Sequence, residues 1–247
     1  MYNIRRMHRF HTDKVDGDTA SISDAAQLHH LRDVLRLKAR DGVALFDGRG
    51  NEYEGVISRI DRQKALVKIT AAVTPRLKKT KITVACAVPK GSTLDDIIDY
   101  LTQLGVDAIV PMMTARVVVR LDGGRRESRL ERWRKIAASA ARQSQRSEFP
   151  VIEAITDIEA VISRAAEFDL RLIPTLSGER RPLKDILAES SPENILVMIG
   201  PEGDFTPEEV EQARRAGFVP ATLGDTVLRV ATAAVAVAGY IRLALGE

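Results

Sequence analysis

Between Asn194 and Tyr240 the chain carries residue types and spacings suited to holding a small ligand. Ile195 to Ile199 is an unbroken apolar run, the pattern of a strand buried on both faces in a parallel sheet. It stops at Gly200-Pro201-Glu202-Gly203, where two glycines and a proline permit a tight turn with backbone N–H groups left free. Thr206-Pro207-Glu208-Glu209 reads as a helix start, with Thr206 as N-cap, Pro207 at the first helical position and Glu209 closing a capping box. Gly217 ends that helix. Val219 to Leu223 predicts a short second strand, followed by a Gly224-Asp225 turn. Strand, glycine turn and helix in succession place a ligand at the carboxyl end of a parallel sheet. The turn is not G-x-G-x-x-G and lacks a P-loop lysine, which disfavours a dinucleotide fold or an NTPase. Spacing alone leaves open that the glycines serve only the turns of an ordinary α/β crossover.

The rest of the chain must position that stretch. Its 247 residues, 45% hydrophobic and 29% charged, describe a globular protein of one large domain or two modest ones. Residues 1–73 read as a small β-rich domain, with strands over Gly42 to Phe46, Glu52 to Ile60 and Ala65 to Thr70 and one helix over Leu28 to Leu37. Several short strands in seventy residues suggest a small barrel. The polar, proline-broken run 74–80 is the expected linker, and 81–247 the second domain. There the pattern predicts a strand over Lys81 to Val88, a helix over Leu94 to Leu104 and a strand from Ala108 to Pro111. A basic helix starting near Ser128 follows, then strands over Phe149 to Ile155 and Leu170 to Pro174 flanking a helix from Ile158 to Ala166. The Ala-rich segment Thr232 to Leu245 reads as a buried helix.

Net charge is only +3, so the placement of charge matters more than its sum. Arg9, Arg32, Arg36, Lys38 and Arg40 gather in the first domain, and Thr114 to Arg146 is the most basic stretch, including Arg116, Arg120, Arg142 and Arg146. Such sets suit phosphate contact, although each arginine alone is better read as part of a solvated surface. The single Cys86, inside an apolar run, has no partner for a disulfide or a metal site, and a buried core thiol in a reducing compartment is expected. No apolar segment approaches the roughly 18 residues needed to span a bilayer. The basic N-terminus has no apolar stretch after it, as a signal peptide would.

Ile199-Gly200-Pro201-Glu202-Gly203, Leu223-Gly224 and Leu228-Arg229 with Thr232-Ala233-Ala234 resemble the cofactor site of the SPOUT methyltransferases. Met7-His8-Arg9-Phe10, His29-His30-Leu31, Leu45-Phe46-Asp47-Gly48, Lys90-Gly91, Leu104-Gly105-Val106, Pro111 and Thr114 with Arg116 extend the likeness over nearly the whole chain, most closely to the RsmE family, which methylates N3 of a uridine in 16S rRNA. The resemblance implies an α/β fold: a PUA-like RNA-binding β-barrel followed by a SPOUT-type parallel-sheet domain with a trefoil knot. It also implies S-adenosylmethionine as cofactor, no metal, a cytoplasmic homodimer, and the small ribosomal subunit as partner. Three turns would enclose the cofactor: Thr175 and Leu176 in the first; Ile199, Gly200, Pro201 and Gly203 in the second; Leu223, Gly224, Val227, Leu228, Thr232 and Ala233 in the third. RNA would meet Arg9, Arg36, Lys38, Lys90, Arg116, Arg142, Gln143 and Arg146.

Methylating uracil N3 requires removal of its proton, hence a base or a cation that stabilises the developing anion. Arg229 is the candidate cation and Glu202 the candidate base, unless the two form an ion pair that merely fixes their turns. The chain departs from the RsmE pattern at four places. Ala231 and Gln103 stand where that family has glutamate, Arg142 also replaces a glutamate, and Gln145 replaces a glycine. These departures keep two alternatives open: an RNA-binding assembly factor with weakened chemistry, or a SPOUT enzyme with another RNA target such as a ribose 2′-hydroxyl.

Overall fold

The structure is a computed structural model that describes residues 7–73, 80–117 and 123–246. The expected linker, apart from Thr80, lies outside the described residues, as does Arg120. Contacts divide the chain into two compact units, Met1–Leu77 with Ala141–Phe149, and Lys78–Ala140 with Pro150–Glu247.

The first unit contains β1 (Arg9–His11), β2 (Lys14–Asp16), β3 (Thr19–Ile22), α1 (Ala25–His29), β4 (Gly42–Phe46), β5 (Glu52–Ile60) and β6 (Ala65–Val73). Their sheet order is β1-β4-β5-β6-β3-β2. β1 pairs parallel with β4, and every other pair is antiparallel. The two edge strands are consecutive halves of one bent segment. Thr12, at the bend, donates its N–H to the Phe46 carbonyl at 2.8 Å and its hydroxyl to the Ser21 carbonyl at 2.8 Å. The sheet thereby closes on itself, which removes its edges. Phe10, Ile22, Leu31, Leu45, Ile57 and Val67 fill the interior. The helix expected over Leu28 to Leu37 lies three residues earlier: α1 passes at His30 into a π-helical stretch, His30–Val34.

The expected second domain, 81–247, loses one stretch to this unit. Arg9 donates to the Arg146 carbonyl at 3.0 Å, Gly50 N–H to the Ser147 carbonyl at 3.0 Å, and Phe149 N–H to the Gly48 carbonyl at 2.9 Å. The Phe149 ring lies 4.9 Å from His11 and 5.9 Å from Phe46. Sequence distance concealed these contacts, because helical periodicity carries no record of where a helix end docks.

The second unit contains β7 (Lys81–Ala87), α2 (Thr93–Gln103), β8 (Ala108–Met113), α3 (Gly123–Gln143, whose last residues belong to the first unit), β9 (Val151–Ile152) and β10 (Thr156–Asp157). It continues with α4 (Ile158–Ser163), β11 (Leu170–Pro174), β12 (Arg181–Pro182), α5 (Leu183–Ala188), β13 (Asn194–Ile199), α6 (Pro207–Arg215), β14 (Val219–Thr222) and α7 (Val230–Ala244). The strands form one parallel sheet in the order β10-β8-β7-β13-β11-β14-β12, with β9 beside β8. The strand expected from Phe149 to Ile155 reduces to β9.

Alternation along the strands feeds two apolar layers. Val84, Cys86, Leu172, Ile195, Val197 and Ile199 pack on the side of α2, α3, α5 and α7, whereas Ala85, Ile173, Leu196 and Met198 pack on the side of α4 and α6. Unbroken apolar runs are what a strand covered on both faces needs. α7 is buried along one face only, by Val230, Ala234, Val237, Ala238 and Ile241; Tyr240 and Leu243 are exposed, which corrects the expectation of a fully buried helix. Its last turn carries Arg242, buried against Asp107 at 2.8 Å and the Thr80 carbonyl at 2.8 Å. Among the described residues no helix is long and apolar enough to cross a membrane.

Candidate active site

Three neighbouring strands, β13, β11 and β14, end on the same side of the sheet, and the turns that follow them enclose a cleft. The cleft holds about 630 Å³ of atom-free space, part of it continuous with solvent. This is the carboxyl edge, where parallel sheets place ligands.

The middle turn is built first. Asp204 N–H donates to the Pro201 carbonyl at 2.9 Å, closing a β-turn over Glu202 and Gly203. A Cβ on Gly200 would stand 3.0 Å from the Phe205 ring, so any side chain there would push that ring aside. The capping box at Thr206 forms as the sequence predicts, and Glu209 does more than close it. One carboxylate oxygen accepts Thr206 N–H at 2.8 Å and the other accepts Ala115 N–H at 2.8 Å, anchoring the segment after β8. From there Arg116 reaches the carbonyls of Gly203 and Phe205. Arg116, expected at RNA, clamps this turn.

Asp204 ties the middle turn to the first. Its backbone is left-handed, at φ +61°, and one carboxylate oxygen accepts both the Thr175 hydroxyl and Leu176 N–H at 2.8 Å. Arg180 donates to the Thr175 carbonyl at 3.2 Å and also lines the cleft. The third turn is held by Thr222, whose hydroxyl accepts Gly224 N–H at 3.3 Å, and Gly224 sits at φ +122°.

Of the residues expected around a cofactor, Thr175, Leu176, Ile199, Gly200, Pro201, Leu223, Gly224, Val227, Leu228 and Ala233 line this one cleft, together with Glu202. Gly203 and Thr232 do not. Gly203 faces the Arg116 side chain, and Thr232 lines a separate groove with Tyr100, Gln103, Leu104, Ala231 and Val235. Helical periodicity explains the split: Val230 and Ala233 face the cleft, while Ala231, Thr232 and Val235 face α2. Ala231 and Gln103, two of the departures noted in the sequence, therefore share a groove outside the cleft. Asp204 and Arg180 were missed by sequence reasoning; an aspartate completing a glycine turn was the available signal for the first.

Arg229 is the exposed N-cap of α7, and Glu202 is exposed on the middle turn. Neither makes a side-chain hydrogen bond or an ion pair among the described residues, so the proposed pairing between them is absent. Glu202 is close enough to Cys86, at the end of β7, to add to the effect of burial, which pushes that thiol up to about 12.

The basic residues of the first unit divide likewise. Arg9 is half-buried, its guanidinium 4.1 Å from the Phe46 ring centre and paired with Glu52 at 2.7 Å, which gives it a structural role. Burial lowers its pKa despite that carboxylate. Arg36, at φ +55°, and Lys38 are exposed on the loop after the π-helical stretch. Gln143 is exposed and Arg142 and Arg146 are half-buried; in the second unit Lys90 is exposed after β7.

A parallel α/β sheet with such a cleft at its carboxyl edge has the build of a ligand-binding enzyme domain. Family comparison agrees: residues 76–242 match the RNA methyltransferase domain, and residues 22–70 match the RNA methyltransferase PUA domain. The chain belongs to the ribosomal RNA small subunit methyltransferase E family. The Bacillus subtilis member is 31% identical over 214 residues, covering 84% of this chain and 83% of that protein. The Neisseria gonorrhoeae member, solved bound to S-adenosyl methionine, superposes with a TM-score of 0.79 at 29% identity, covering 96% of this chain and 97% of that one. A probable rRNA methyltransferase from Porphyromonas gingivalis gives a TM-score of 0.83 at 30% identity, covering 97% and 99%.

Proposed function

We propose that this chain methylates N3 of one uridine in 16S rRNA of the small ribosomal subunit, using S-adenosylmethionine. The observation that carries the reading is the cleft at the ends of β13, β11 and β14, in a chain that otherwise follows its family. Its lining fits the cofactor. A Cβ built on Gly224 meets nothing within 4 Å, so open space lies against the backbone there. Leu176 and Val227, at 52% and 75% exposure, leave apolar surface uncovered for a nucleoside. When bound, the cofactor supplies an electrophilic methyl group.

The chain's own residues do the remaining work. Glycine turns and the apolar wall hold the adenosine portion. Glu202 takes the N3 proton, and Arg229, with no competing partner among the described residues, stabilises the anion that develops on the base. The exposed Arg36, Lys38 and Gln143 of the first unit and the exposed Lys90 of the second meet RNA, as do the half-buried Arg142 and Arg146. The expected trefoil knot belongs to this proposal, supported by the insertion of β13 between β7 and β11 and by α7 packing beneath them. So do the cytoplasmic location and a homodimer, which would cover the groove between α2 and α7.

The test is a methylation assay on small subunits lacking the modification, with nucleosides identified by mass spectrometry. A 3-methyluridine product is expected. Another methylated nucleoside would move the target. No product, with cofactor binding intact by calorimetry, would replace this reading by RNA binding without chemistry.

A further inference from the structure

We infer that Asp204 is a positioning residue for the cofactor cleft, a strap that fixes the distance between its first two turns. The inference rests on the cleft being the S-adenosylmethionine site. Three observations support it. Asp204 lines the cleft yet lies on the turn after β13, and its carboxylate accepts Thr175 Oγ and Leu176 N–H, both at 2.8 Å, on the turn after β11. It is the direct side-chain bond between those two turns among the described residues. Its own backbone is left-handed at φ +61°, where glycine is the strain-free choice. Aspartate is one of the few other residues that tolerate this conformation, so the position accommodates the side chain that makes the two hydrogen bonds.

The strap has a consequence for the cleft. Leu176 follows directly on Thr175 and is half exposed at the mouth. Its N–H is one of the two groups Asp204 holds, so the strap sets where this apolar wall stands. On the other side, Arg116 holds the carbonyls of Gly203 and Phe205, the residues flanking Asp204. The aspartate is therefore pinned from behind while it pins the first turn. Without the carboxylate, the first turn must be ordered by the cofactor itself, at a cost to affinity.

Three variants separate this role from a mere contribution to folding. Asp204→Ala loses the strap and strains the left-handed backbone; Asp204→Gly loses the strap without that strain; Asp204→Asn keeps an acceptor oxygen and tolerates the left-handed backbone. S-adenosylmethionine binding is measured by calorimetry, thermal unfolding alongside it, and KM for the cofactor and kcat on small subunits where binding persists. Ala and Gly are expected to weaken binding equally, by about tenfold, as for loss of charge-assisted hydrogen bonds. Gly is expected to unfold at a higher temperature than Ala, and Asn to recover most of the affinity. The effect should fall on KM with kcat nearly unchanged. Restored affinity in the Gly variant would overturn the inference, since strain rather than the strap would then govern binding; so would wild-type affinity in all three. Failure of the wild-type chain to bind the cofactor at all would overturn the reading beneath it, and the inference with it.

Discussion

Gln145 shows how a departure in sequence can be a matter of backbone. The resemblance led to glycine at this position, and the structure holds Gln145 at φ +59°, in the region that side chains other than Asn and Asp rarely adopt. The substitution costs stability without touching the cleft. Gln145→Gly should raise the unfolding free energy by about 1 kcal/mol, read from chemical denaturation. Arg229 is the opposite case, a residue with no structural employment. Its side chain is exposed and makes no bond among the described residues, so removing it should leave stability alone. Under the proposed chemistry Arg229→Ala lowers kcat on small subunits by roughly 100-fold, as loss of one anion-stabilising donor does. An Arg229→Ala enzyme with unchanged kcat would remove this residue from the mechanism.

At the level of elements, the cleft depends on contacts that join segments far apart in the chain. Glu209 is 6% exposed, and its two carboxylate oxygens hold the start of α6 and the segment after β8. Glu209→Ala orphans both N–H groups and releases Arg116 from the middle turn. It should cost on the order of 3 kcal/mol, the range for charged hydrogen bonds broken inside a protein. Its cofactor affinity should fall as well, which calorimetry would detect. The capping box itself was legible, because Thr206 and Glu209 are neighbours and their spacing encodes the bond. The bond to Ala115 was not, since it joins residues 94 positions apart. The same contrast holds across the fold. β13 was readable from its apolar run and α2 and α3 from their stripes, while the short α5 was not read. The bend that closes the barrel at Thr12, the docking of 141–149 and the burial of Arg242 were not, because each is a tertiary bond that leaves no local pattern. Arg116 and Arg9 read as free cations in the sequence for the same reason: composition reports a charge but not the carbonyls or carboxylate that occupy it.

For the whole molecule, the proposed homodimer puts the groove between α2 and α7 at the contact between copies. Leu104, Val235 and Ala231 line it with Tyr100, 46% exposed, and among the described residues no Asp, Glu, Lys or Arg side chain lines it. Both positions where glutamates would stand in the resembling family, Gln103 and Ala231, face this groove, and both are uncharged here. An apolar surface without charges to solvate it favours being covered, and a second copy of the same face meets that need symmetrically. Under the proposed homodimer, Val235→Asp places a charge in the covered face, and two copies would bury it twice near the symmetry axis. The variant should sediment as a monomer at concentrations where the parent chain sediments as a dimer. Its thermal unfolding should lose the dependence on protein concentration that a dimer imposes. Because Val235 lies on the α2 side of α7 while Val230 and Ala233 face the cleft, the cofactor turns stay intact in such a monomer. Cofactor affinity then separates two arrangements. If each subunit holds its cofactor alone, the monomer binds as tightly as the parent; if the partner completes the cleft, affinity falls together with the sedimentation coefficient. A Val235→Asp chain that sediments like its parent would mean that this groove is not where the copies meet.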